Sequence, residues 1–417
     1  MGESNGPPKY IVLVGDGMAD FPIPELNGKT PLEAARTPNM DRIASCRVGL
    51  VRTIPHGMEP GSDVANLALL GYDPAKYHTG RGPLEAASMG VSLKSNQVAF
   101  RMNLVTLSRR SSEEIIMVSH SAGELSTSEG NAIVADLRMV LEKPWIHIYH
   151  GVAYRHLLVW ENGPDNIETI PPHDVLDQNM ASYLLGNATG PVQEAIRSSW
   201  PVLENHPVNM TRKAQGLAEA NSIWPWGQGK APELPSFSRK FGLTGAVISA
   251  VDLLKGIGVY VGLQPLHVAG ATGYLNSNFK GKVEAALEYL EKVDFIFLHV
   301  EAPDEAGHHG DIAEKIEAIE VFDARIVGPV LEGLRSFEDF RIMVVSDHLT
   351  PIVRKTHTAD PTTFAWASKA ELKARPVTGA FTESAALGSG MFFEHGYDLM
   401  PAFLGKHENL TRNAFLK

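Results

Sequence analysis

The chain has 417 residues, 44% of them hydrophobic and 20% charged, with a formal net charge of -11. This is the composition of an ordinary folded protein with room for two or three domains, and it lacks the basic face that nucleic-acid binding requires. No apolar run approaches the roughly 20 residues of a membrane helix, Cys46 has no second cysteine to pair with, and the polar stretch 1–8 carries no apolar signal segment, so the cytoplasm is the expected compartment.

In chain order, the first element is the continuous apolar run Tyr10-Ile11-Val12-Leu13-Val14-Gly15, which suits a strand buried on both faces of a parallel sheet. It stops at Asp16-Gly17, so an acid stands just past the C-terminal edge, where ligand sites of open α/β sheets gather. Thr37-Pro38 then opens a short helix through Ile43, with Thr37 as its N-cap and Pro38 in its first position. The middle, 76–225, mixes strand-like pieces (Ile115 to Val118, Leu157 to Trp160) with a helix-like piece, Glu129 to Leu141. It reads as an insertion into a larger domain formed by 1–75 and 226–417. Two later strands repeat the opening pattern: Asp294 to Val300 leads into Glu301-Ala302-Pro303-Asp304, and Phe340 to Ser346 leads into Asp347-His348. Between them Ile316, Ile319, Phe322, Ile326 and Val330 recur at three and four, predicting one helical stretch over 312–334 and a parallel strand pair with a right-handed crossover.

The chemistry-bearing residues follow those strands. Asp304 and His308 are four apart, on one face of a helical turn, and carboxylate plus imidazole suits Mn²⁺ or Zn²⁺ better than Ca²⁺. Asp347-His348 follows an apolar strand directly, His357 lies nine residues on, and Asp16 sits between two glycines. Ser62, after Gly61, stands where a helix should begin. An N-cap serine explains that position, and so does a nucleophile at a helix N-terminus whose free N–H groups favour a phosphate. Each feature alone is ordinary. Their joint placement after strands of one sheet points to a metal-assisted site in which Ser62 is the nucleophile.

The chain resembles the cofactor-independent (2,3-bisphosphoglycerate-independent) phosphoglycerate mutases of the archaeal type, in the alkaline phosphatase superfamily. The resemblance is carried by Val14 to Asp20, Lys29 to Ala35, Thr37 to Asp41, Gly61 to Asn66, Gly80 to Ala87, Trp226 to Lys230, Ala246 to Leu253, Asp304 to His308, Asp347-His348 and His357 to Pro361. It implies an alkaline-phosphatase-like three-layer α/β domain with a parallel sheet, interrupted by a smaller inserted α/β domain that binds substrate and serves as a lid. It also implies a glycolytic isomerase passing the phosphoryl group of a small phosphorylated substrate through a phosphoserine. One divalent ion would be held by Asp304, His308 and His357 and another by Asp16, Ser62, Asp347 and His348, with Mn²⁺ first among Mn²⁺, Zn²⁺, Co²⁺ and Mg²⁺. Arg81, Arg101, Arg155, Arg212, His120, His156 and Lys230 are the candidates for the substrate's carboxylate and phosphate, arginine being suited to both. One departure is that Ser119-His120 precedes Ser121-Ala122-Gly123, where the archaeal mutases tend to carry an acidic and an aromatic residue. A bacterial branch similar to these mutases has been proposed to act as homoserine kinases, which gives the competing expectation. Gly227-Gln228-Gly229-Lys230 lacks P-loop spacing.

Overall fold

The computed structural model describes residues 8–186 and 190–406, so the stretch 1–7 read above lies outside it. The chain forms two compact units, one of 1–78 with 233–417 and the other of 79–232. The expected boundary at 225/226 falls inside a strand, because Trp224-Pro225-Trp226 is paired with the long strand of the smaller unit.

The strands, in chain order, are β1 (Lys9–Gly15) and β2 (Val48–Val51) in the larger unit. The smaller unit supplies β3 (Gln97–Arg109), β4 (Ile115–Ser119), β5 (Ile146–Val152), β6 (Arg155–Glu161) and β7 (Ser222–Gly229). The larger unit resumes with β8 (Gly245–Ile248), β9 (Gln264–Leu266), β10 (Phe295–Val300), β11 (Phe340–Val345), β12 (Thr362–Ser368) and β13 (Phe392–Phe393). In the larger unit the sheet order is β13-β2-β12-β11-β1-β10-β8-β9. β1 lies between β10 and β11 and runs parallel to both, with Gly15 opposite Val300 and Val14 opposite Val345. The acids that follow these three strands therefore leave one edge of one sheet. β12 is the antiparallel exception, paired with β11 and β2.

The apolar runs are continuous because both faces of this sheet are covered. Ile11, Leu13, Ile296, Leu298, Ile342 and Val344 pack with Met40, Phe279 and Phe322 in one cluster. Val12, Val14, Phe297, Met343 and Val345 point the other way and are equally buried.

Two local expectations change. The early helix is Pro38–Ala44, and Thr37 holds its N-cap position without a side-chain capping bond; the carboxylate of Asp323 instead accepts the N–H groups of Asn39 and Met40. Asp323 opens a π-turn, Asp323–Val327, which interrupts the helix expected over 312–334. Pro329 has no N–H to return to the carbonyl four residues back, and Gly328 N–H reaches Asp323 O instead.

The smaller unit is an antiparallel sheet, β4-β3-β6-β5 with β7 on β3. Helices Thr127–Leu141 and Pro191–Glu204 contribute Ile133, Leu137 and Ile196 to its own core, which includes Phe100, Leu104 and Trp224.

Candidate active site

Every residue expected to hold metal lies in the larger unit, and the fold gathers all seven. Ser62 begins the Ser62–Leu69 helix, but Gly61 occupies the N-cap position and no side chain caps the helix. The serine hydroxyl is thus not consumed by the helix; Oγ lies 3.1 Å from His348 Nε2. His348 Nε2 is also 3.3 Å from Asp16 Oδ1 and 3.6 Å from Asp347 Oδ2. Asp347 is fixed from three sides: Gly17 N–H and His348 N–H donate to Oδ1 at 3.1 and 2.9 Å, and Asn66 Nδ2 donates to Oδ2 at 2.8 Å. The same Asn66 amide donates to Ser62 O at 2.9 Å, tying the Ser62 backbone and the Asp347 carboxylate together. Gly17 has φ +59°, and a Cβ there would meet Asp304 Oδ1 at 2.7 Å, so the turn after β1 requires glycine.

A second group stands beside the first. Asp304 and His308 lie on the Ala302–His309 helix, with Oδ2 and Nε2 3.2 Å apart. His357 Nε2 is 3.4 Å from Asp304 Oδ1 and 3.0 Å from His308 Nε2. Thr350 donates its hydroxyl to Asp304 Oδ1 and meets His348 Nδ1 at 3.3 Å. Beneath Thr350, the fully buried Lys315 Nζ donates to Thr350 O and to Asp20 Oδ2, both at 2.8 Å.

The electrostatics of the two groups are opposite. Burial, then the neighbouring carboxylates of Asp347 and Asp304, push Asp16 well above the usual carboxylate range. Burial also holds His348 and His299 down at about 4, so both are neutral. At Asp304 burial is outweighed by His308 and His357, and its carboxyl falls well below the usual range. His308, against the desolvation it suffers, is raised to about 9 by Asp304.

The donor set fits divalent cations. Among the described residues Asp16 Oδ1 is buried without a hydrogen-bond partner, a cost a protein interior rarely leaves standing. Imidazole, carboxylate and hydroxyl converge as a Mn²⁺ or Zn²⁺ site demands. By proximity, ligating atoms of Asp304, His348 and His357 cluster within 4.8 Å, as do those of Asp16, His299 and Asp347. His348 faces both groups.

The substrate candidates lie in the smaller unit, and only some of them meet. The guanidinium groups of Arg81 and Arg101 stack on Trp226 at 5.4 and 5.2 Å from its ring centroid. Among the described residues Arg81 Nε is buried without a hydrogen-bond partner. Arg101 bonds Glu85 at 2.8 Å; burial lowers its pKa, and the charges of Arg81 and Arg155 add to that effect. His120 packs edge-on to Tyr154 and His173, and His173 to Trp226. Ser119, at the departure from the archaeal pattern, closes its own turn by accepting from Gly123 N–H at 3.1 Å. Arg212, expected among the substrate contacts, does not join this cluster. It is buried, and its donors go to Ala218 O, Ala122 O, Gly123 O and Glu129. His156 is likewise buried, its Nδ1 accepting from Gly151 N–H, and Lys230 is half exposed in a pair with Asp165 at 2.6 Å.

Sequence reading missed His299, Asn66, Thr350 and the aromatic partners Tyr154, His173 and Trp226. Two of these carried a signal. His299 is the one polar residue in the apolar run of β10, and Asn66 is four residues from Ser62 on the same helix face. Thr350 carried none, since nothing in its neighbours announces the turn that brings it to Asp304.

Known proteins similar to this chain fall largely in one family. A family model described as 2,3-bisphosphoglycerate-independent phosphoglycerate mutase matches residues 44–209, and one described as type I phosphodiesterase / nucleotide pyrophosphatase matches 175–374. The chain is 52% identical to a 2,3-bisphosphoglycerate-independent phosphoglycerate mutase of Methanosarcina mazei, over 86% of this chain and 90% of that one. It is 48% identical to one of Methanothrix thermoacetophila, over 94% and 98%. A solved structure of a Pyrococcus horikoshii protein matches with TM-score 0.79 at 28% identity, covering 97% of this chain and 99% of that one. The cofactor-independent phosphoglycerate mutase of Thermoplasma acidophilum matches with TM-score 0.59 at 26% identity, covering 95% and 99%.

Proposed function

The chain belongs to the 2,3-bisphosphoglycerate-independent phosphoglycerate mutase family, and from that premise we propose that it interconverts 3-phosphoglycerate and 2-phosphoglycerate through a phosphoserine at Ser62. The observation that carries this reading is the Ser62 hydroxyl itself. It stands at the first position of its helix, uncommitted to capping, 3.1 Å from His348 Nε2 and tied through Asn66 to Asp347.

Asp16, Ser62, Asp347 and His348 would hold one divalent ion, and Asp304, His308 and His357 the other, with Mn²⁺ our choice of metal. When bound, such ions lower the pKa of a coordinated hydroxyl and neutralise the oxygens of a transferring phosphoryl group. Ser62 Oγ attacks the phosphorus as its proton is given up, the ester bond to the 3-oxygen breaks, and that oxygen takes up a proton as glycerate leaves. The glycerate reorients, and its 2-oxygen takes the phosphoryl group back from Ser62, restoring the hydroxyl. Asn66 holds Ser62 and Asp347 in register throughout, a positioning role that matters because small misplacements of reacting atoms are costly. Arg81, Arg101, Arg155 and His120 are our candidates for the anionic groups of the substrate. We give Arg212 and Lys230 structural roles on account of the partners they already have, and His156 one on account of its burial.

We place this activity in the cytoplasm, in keeping with a single cysteine. Among the described residues no helix is long and apolar enough to cross a membrane. The test is a coupled assay on the full chain with Mn²⁺ and no added bisphosphoglycerate. Conversion of 3-phosphoglycerate that stops with chelator and returns with Mn²⁺ is expected. ATP consumption that depends on homoserine, without that conversion, would transfer the chain to the kinase reading.

A further inference from the structure

We infer that His299 is a positioning residue for Asp16, donating Nε2–H to Oδ2 and leaving Oδ1 as the oxygen offered to a cation. The inference rests on the two-ion reading above and extends it to a residue outside the ligand set.

Asp16 has two oxygens with different surroundings. Oδ1 lies 3.3 Å from His348 Nε2 and has no hydrogen-bond partner, whereas Oδ2 lies 2.9 Å from His299 Nε2. His299 is wholly buried at the penultimate position of β10, opposite Val14 of β1. Its backbone is held too, since the buried Lys282 Nζ donates to His299 O at 3.1 Å. Proximity alone groups His299 with Asp16 and Asp347 as a third ligand. The tautomers argue otherwise.

Ser249 Oγ accepts the N–H of Val251 at 2.9 Å and lies 3.3 Å from His299 Nδ1. Among the described hydrogen bonds Nδ1 is the acceptor that satisfies the hydroxyl proton of this buried serine. Nδ1 therefore carries the lone pair and Nε2 the hydrogen, and a protonated ring nitrogen cannot ligate a metal. His348 is set the opposite way. The Thr350 hydroxyl is spent on Asp304 Oδ1, so toward His348 Nδ1 it acts as acceptor. His348 therefore keeps its hydrogen on Nδ1 and turns a bare Nε2 toward Ser62, Asp16 and Asp347. Two buried imidazoles beside the same carboxylate are thus assigned different work by a serine and a threonine. Nε2–H of His299 is within reach of Oδ2 but not in line with it, as is common before a site has its ligand.

The test is Mn²⁺ titration of the chelator-stripped full chain by calorimetry, for wild type, His299→Ala, His299→Gln and Ser249→Ala. Wild type should take up two ions. His299→Ala should still take up two, one of them about 10- to 100-fold more weakly, the effect usual for loss of an outer partner of a metal ligand. His299→Gln, whose amide supplies a donor near the Nε2 position, should recover most of that loss, and Ser249→Ala, which frees the tautomer, should lie between. Two outcomes overturn the inference while leaving the two-ion reading intact. One is a His299→Ala or His299→Gln chain that binds a single ion, which makes His299 a ligand. The other is unchanged affinity in folded His299→Gln and Ser249→Ala chains, which makes it packing alone. A wild-type chain that takes up no Mn²⁺ overturns the two-ion reading itself.

Discussion

The two halves of the candidate metal cradle are built from the same kinds of side chain and behave in opposite ways. Around Asp16, Asp347 and His348 the imidazoles are neutral and burial disfavours charge, leaving a buried carboxylate oxygen without a partner. Around Asp304, His308 and His357 the charges compensate one another, with Asp304 depressed and His308 raised to about 9. The inner half is preorganised by fixed donors (Gly17, Asn66, the backbone of His348). The outer half satisfies itself with a proton that any cation must displace. The difference follows from burial: Asp16 and His348 sit on the ends of central strands, whereas His308 and His357 lie toward the surface on a helix and a loop.

The largest expected effect belongs to the inner half. Ser62→Ala should lower mutase turnover by at least about 10⁴-fold, in keeping with removal of a nucleophile, while circular dichroism and the content of two Mn²⁺ stay near wild type. Turnover within tenfold of wild type would remove the inner half from the chemistry. Next comes the support of the outer half. Lys315→Met leaves Asp20 buried and unpaired and frees Thr350 O, and should cost about 3–5 kcal/mol in denaturant unfolding; a loss under about 1 kcal/mol would mean that Lys315 does not brace Thr350. Asn66→Ala removes the bonds to Ser62 and Asp347 together, and kcat should fall about 10- to 100-fold with KM little changed. A rise in KM alone would assign Asn66 to substrate binding.

The smallest effect separates the halves by sign. In the metal-stripped chain His308 titrates at about 9 when folded and near 6.5 when unfolded, so its stabilisation is complete below pH 6.5 and is lost as pH rises through 9. His299 and His348 titrate at about 4 when folded, so the stability they confer as neutral groups is lost as pH falls from 6.5 through 4. The melting temperature of that chain should thus decline from pH 6.5 toward pH 9. Mn²⁺ affinity at the outer half should climb toward pH 9 as His308 gives up its proton. A melting temperature that rises steadily from pH 6.5 to 9 would contradict the pairing of His308 with Asp304.

Much of this cradle was legible in the sequence because it is punctuated by strands. Three apolar runs each ending in an acid can be read without a structure, and parallel pairing of β1, β10 and β11 makes their ends coincide. The residues that fix tautomers and orientations were not legible. His299 looked like part of a strand, and Thr350 and Ser249 act only through tertiary proximity. The position of β7 was hidden for a related reason. Trp224-Pro225-Trp226-Gly227 has the composition of a linker, yet its pairing with β3 and the burial of Trp224 override that local signal. Arg212 shows the converse: its residue type suits a phosphate, but the turn at Ala122-Gly123 takes its donors first.

The central claim is that Ser62 carries the phosphoryl group between the two substrate oxygens. It is tested most directly by mixing the Mn²⁺-loaded chain with 3-phosphoglycerate, quenching in acid within a turnover, and mapping modified peptides by mass spectrometry. A phosphoryl group on Ser62, absent from Ser62→Ala and from chelator-treated chain, is the predicted result. Turnover with no adduct on Ser62, or with the adduct on another side chain, would contradict it.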